Sequence, residues 1–90
     1  MTLYATRRSM TSSVSFEWAE YVEDVSAWRL SWLPNRDLTE AQARAGMELA
    51  EAYAEASHDS DHTARCATEL NLSAAQAIAL LTWRADGRPA

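Results

Sequence analysis

Three residues of ligand and nucleophile type recur at four-residue steps late in the chain: His58, His62 and Cys66, with Asp59 and Asp61 beside them. Imidazole and thiolate are natural zinc ligands, and on one continuous helix this step would put all three on one face. The stretch Asp59-Ser60-Asp61 is instead a polar break rich in N-cap residues. It starts a helix after His58 and takes that histidine out of line. No second ligand cluster occurs, so no metal is expected, and Cys66 reads as a small buried hydrophobe. Catalysis has as little to stand on. There is no glycine-rich phosphate loop, no Gly-x-Ser-x-Gly turn and no paired catalytic signature. The expectation is a non-enzymatic chain with no catalytic residue and no cofactor.

Charge carries the next argument. The 90 residues sum to a net charge of −5, which speaks against general affinity for nucleic acid or an anionic membrane. The imbalance is local. Between Phe16 and Asp61 the acids far outnumber Arg29, Arg36 and Arg44; from His62 onward Arg65, Arg84 and Arg88 outnumber Glu69 and Asp86. An acidic run is usually a solvated face, and its sharper reading is a surface for a basic protein partner. All basic side chains are Arg, which fits a GC-rich coding sequence. One cysteine allows no internal disulfide and fits a reducing cytoplasm. No apolar run approaches membrane-spanning length, and no signal-peptide block opens the chain.

The elements that would position these residues read as helices. Gly and Pro are scarce, and no alternating β pattern runs through the middle of the chain. The expected class is all-α: a small four-helix domain over 15–88, preceded by a flexible arm over 1–14. A short extended segment through Leu3, Tyr4 and Ala5 is the weaker alternative to that arm. Ser15 is the N-cap expected for the first helix. Trp18, Tyr21, Val25, Trp28 and Trp32 follow at steps of three and four and form its stripe, and Pro34 ends it. Thr39-Glu40-Ala41-Gln42 is a capping box for a second helix running to about Ser57. Its packed face is Ala43, Met47, Ala50 and Tyr53 or Ala54, and its charged face includes Glu40, Arg44, Glu48, Glu51 and Glu55. Gly46 inside this helix implies close approach of a bulky neighbour, a tryptophan of the first helix being the candidate.

The third helix, about His62 to Leu70, and the fourth, opened by the capping box Ser73-Ala74-Ala75-Gln76, enclose a tight turn at Asn71, which tolerates positive φ. Ala67 is a small residue inside the third helix, and Leu72 plugs the corner. Asp86-Gly87 closes the fourth helix, with Arg84 and Arg88 suiting its negative end. The segment Thr63 to Thr82 thus resembles the helix-turn-helix of DNA-binding regulators. The resemblance implies Ala67, Leu72, Ala77 and Leu80 inward, with Ser73, Ala74, Ala75, Ile78, Ala79 and Thr82 facing a groove. Base edges need hydrogen-bonding side chains, and only Ser73, Thr82 and Gln76 offer them. Phosphate contacts would fall to Arg65 and Arg84, with the Arg7-Arg8 arm in addition, few for an affinity built on counterion release.

The leading expectation is a small acidic regulatory or adaptor protein acting through protein contacts, of the kind phages and mobile elements carry as inhibitors. Ala74, Ala75, Ile78 and Ala79 form its partner-binding patch, and a homodimer is among the expected assemblies. The second expectation is a DNA-binding regulator using Arg65, Ser73, Gln76, Thr82 and Arg84.

Overall fold

The computed structural model describes residues 3–55 and 60–85. The first half of the chain is a sheet, so the expected all-α, four-helix class gives way to a mixed architecture. Five strands run in sequence order: β1 (Leu3–Ala5), β2 (Ser9–Ser12), β3 (Ala19–Val22), β4 (Ala27–Leu30) and β5 (Leu33–Leu38). All neighbours are antiparallel. Three helices follow: α1 (Glu40–Ala54), α2 (Ser60–Glu69) and α3 (Ala74–Ala85). The first two strands occupy the region expected to be an arm, and Met10 of β2 is buried.

The supposed first helix is the hairpin β3–β4 with its flanks. A single 3-10 turn at Glu23–Val25 and Ser26 at φ 52 reverse the chain between them. The three-and-four spacing of the aromatic stripe is therefore coincidental. Trp28 is buried on β4 and meets Tyr21 edge-on across the hairpin, with ring centroids 5.9 Å apart. Trp18 and Val25 are exposed. Register puts Met10, Ala19, Leu30 and Leu33 in one cross-strand row, the face that meets the helices. Between Trp28↔Leu38 and Leu30↔Leu33 the register shifts, in the part of edge strand β5 that holds Pro34. Proline has no N–H for a ladder and belongs at an edge. Ser15 caps no helix; its hydroxyl accepts from the Glu17 amide (3.2 Å) in the β2–β3 loop.

The helix α1 is central. It packs on β2 to β5, and α2 and α3 pack on it in turn. Burial on both sides explains its small residues: Ala43, Ala45, Gly46, Ala50 and Ala52 are all buried. The capping box is present, with Thr39 Oγ1 accepting from the Gln42 amide (3.1 Å) and Gln42 Oε1 from the Thr39 amide (2.9 Å). Close approach at Gly46 is real, but the neighbours come from strand and turn. A Cβ there would collide with Leu30, and the Trp32 indole donates to the Gly46 carbonyl (3.3 Å). Glu51, expected on the charged face, is buried and accepts from Ser12 Oγ of β2 at 2.7 Å.

Candidate interaction surface

The second and third helices and their turn carry the candidate site. Asn71 takes the left-handed conformation (φ 58), and the Leu72 amide donates to the Ala67 carbonyl (2.9 Å), so the chain reverses within a few residues. Ser73 and Gln76 form the second capping box, with Gln76 N to Ser73 Oγ at 3.1 Å and Ser73 N to Gln76 Oε1 at 2.9 Å. Ala67 and Ala77 are buried, while Leu72 and Leu80 are half-buried; Leu81, not Leu80, is the fully buried leucine of α3.

Of the expected partner patch, Ala75, Ile78 and Ala79 are exposed and Ala74 is half-buried. Ile78 retains 45% of its surface and Trp83, not foreseen as part of the site, 49%. Among the residues of the alternative DNA reading, Arg65, Ser73, Gln76 and Thr82 are exposed. Ser73 Oγ and Gln76 Oε1 are already engaged in the cap. Arg84 is engaged as well. Its Nη2 and Nε donate to Glu17 Oε1 (2.9 Å) and Oε2 (3.2 Å), and Ser31 Oγ donates to the same carboxylate at 2.6 Å. Glu17 is only 4% exposed, so a fork of charge-assisted bonds ties the β2–β3 loop to the last turn of α3. The sequence alone reads Glu17 as the start of a helix and Arg84 as a complement to the negative end of the last one, or as a phosphate contact. No spacing rule links residues 67 apart.

The acidic run does not form one helical face, because its first part lies on the sheet. There Arg29 pairs with Asp37 (3.0 Å) and Arg8 with Glu23. Beside α2, His62 Nε2 lies 3.7 Å from Cys66 Sγ and 4.0 Å from Glu48 Oε1. Burial, and then the Glu48 carboxylate, push the Cys66 thiol up from 9.0 to about 11, so it stays protonated. Among the described residues no group of His, Cys, Asp or Glu is arranged to hold a metal ion. His58, Asp59, Asp86, Gly87 and Arg88 lie outside the described residues. No described helix is long and apolar enough to cross a membrane. Comparison with protein-family models, curated proteins and solved structures finds no match to this chain.

Proposed function

We propose that this chain is a non-enzymatic protein-binding module that meets its partner through the outward face of α3. The observation that carries this reading is the absence of charge there. Ala75, Gln76, Ile78, Ala79, Thr82 and Trp83 face solvent, and the helix's one ionised side chain, Arg84, is held by Glu17. A solvated helix normally carries its charge on the outer face, and α1 does so with Glu40 and Arg44. An exposed isoleucine and tryptophan around two alanines are suited to a helix or apolar ridge packed at close range. A regulatory or adaptor role in the reducing interior of a cell fits this surface and the single buried thiol.

The DNA-binding reading draws on the tight turn at Asn71 and on exposed Arg65, but the face that would enter a groove is nearly bare of base-reading groups. One experiment separates the two. The tagged chain and its Ile78→Arg variant are used for affinity capture from a lysate of the cells that make it, with and without nuclease. We expect a nuclease-resistant partner that the variant loses while keeping its circular dichroism spectrum. A partner lost only to nuclease, with a salt-sensitive shift of duplex DNA, would overturn the proposal in favour of the DNA reader.

A further inference from the structure

The exposed large apolar side chains lie partly in two segments that the Glu17–Arg84 pair brings together. Val14 and Phe16 lie on the β2–β3 loop, and Ile78 and Trp83 lie on α3. Phe16 keeps 70% of its surface although its neighbour Glu17 is buried, so the loop is anchored through the acid and shows its aromatic ring outward. Beside that ring is a groove of about 160 Å³ walled mainly by apolar groups of the β2–β3 loop, of α1 (Ala50, Tyr53, Ala54) and of Leu81, with Ser15 and Glu17 also in its wall. An apolar hole of roughly 150 Å³ admits a benzene ring. The groove therefore has room for one branched or aromatic side chain. One helical turn before Leu81 stands Ile78, a side chain of that kind that is 45% exposed.

We propose that the partner is a second copy of this chain, joined about a twofold axis so that each Ile78 fills the other's groove. The inference rests on the protein-binding reading above and names its partner. A hole walled by Leu81 and an exposed knob one helical turn before it put both halves of an isologous contact, in which every interaction is made twice, along one helix. Ala75 and Ala79 let the two α3 backbones come close. Electrostatics selects the same face. Two chains of net charge −5 repel through any surface where acids oppose acids, and α3 has no acidic residue while Glu17 is neutralised beside it.

Sedimentation equilibrium from micromolar to near-millimolar protein tests this directly. We expect a concentration-dependent dimer that strengthens as salt rises, because screening removes the residual repulsion and leaves the apolar contact. Ile78→Arg removes the knob and Ala54→Trp fills the hole, and each weakens dimerisation by about tenfold or more. Mixing the two variants recovers a heterodimer tighter than either variant alone, since one knob then meets one open hole. A wild-type chain that stays monomeric overturns the proposal, as does a mixture no tighter than its parents. Should Ile78→Arg fail to fold, Ile78→Ser takes its place against Ala54→Trp. A monomeric wild type that still captures another protein through Ile78 sinks the dimer alone; loss of both behaviours sinks the protein-binding reading with it.

Discussion

At the scale of single residues, Cys66 shows how burial converts into a measurable pH response. Its thiol is lifted from 9.0 to about 11, first by desolvation and then by Glu48. In the unfolded chain the thiol ionises near its ordinary value, whereas the folded chain still holds the proton. Above that value the folded state binds more protons than the unfolded one, so stability must fall as pH rises. The contribution is intact below about 9 and is lost between about 9 and about 11. We expect the denaturant midpoint to decline across that window, and Cys66→Ala to flatten the decline. A variant with the same alkaline slope as the parent would show that the thiol is no drier than in the unfolded chain. His62, one helical turn away, adds a polar contact, its Nε2 lying 3.7 Å from Cys66 Sγ.

At the scale of elements, the two capping boxes fix where α1 and α3 begin, but they do different amounts of work. Thr39 and Gln42 satisfy each other's amides, and Gln42 Nε2 also donates to the Glu69 carbonyl at 2.9 Å. That third bond joins the start of α1 to the end of α2. Ser73 and Gln76 make the reciprocal pair within their own helix start. Loss of a cap hydroxyl costs about 1 kcal/mol. We therefore expect Thr39→Ala and Ser73→Ala each to lower stability by about that amount, and Gln42→Ala to exceed both because an interhelical bond goes with the cap. Urea unfolding of the three variants checks the order. Equal losses for Gln42→Ala and Thr39→Ala would remove the α1–α2 tie from the energetic account.

At the scale of the whole molecule, the Glu17–Arg84 ion pair ties the β2–β3 loop of the sheet half to the last helix. Removing one member of a buried pair leaves the other charge desolvated and uncompensated, which is more damaging than removing both. Arg84 is about one-third exposed, so the effect is moderated by solvent. We expect Arg84→Ala to cost about 2 kcal/mol, and Glu17→Gln combined with Arg84→Leu to recover part of it. A thermal melt of the double variant below that of the single one would contradict the pairing argument. The same bond sets Phe16 beside Leu81, so its loss should also weaken self-association even where the fold survives.

What the sequence determined by itself was local. Capping boxes at Thr39 and Ser73, the left-handed turn at Asn71 and small residues at Ala67 and Ala77 all act over a few residues, and all stand in the structure as their chemistry requires. The exposed patch at Ala75, Ile78 and Ala79 was legible for the same reason, since a helix with known ends has a known outer face. The sheet was not. Its hairpin turns at Glu23–Ser26 and Ser31-Trp32 contain no Gly, Asn or Pro. The turn formers they do hold, Asp24, Ser26 and Ser31, are weaker punctuation that a helical reading absorbs as polar surface. Trp18, Tyr21, Val25, Trp28 and Trp32 happen to repeat at a helical period as well. The contrary signal was short: Trp28, Leu30 and Trp32 alternate with Arg29 and Ser31, a period of two over only five residues. Only tertiary structure decided between the periods, because the strands become stable when paired with each other and covered by α1, and no window of sequence contains that cover. The Glu17–Arg84 bond and the groove beside Leu81 belong to the same class. They join residues far apart in the chain, brought within reach by the packing of the sheet, α1 and α3.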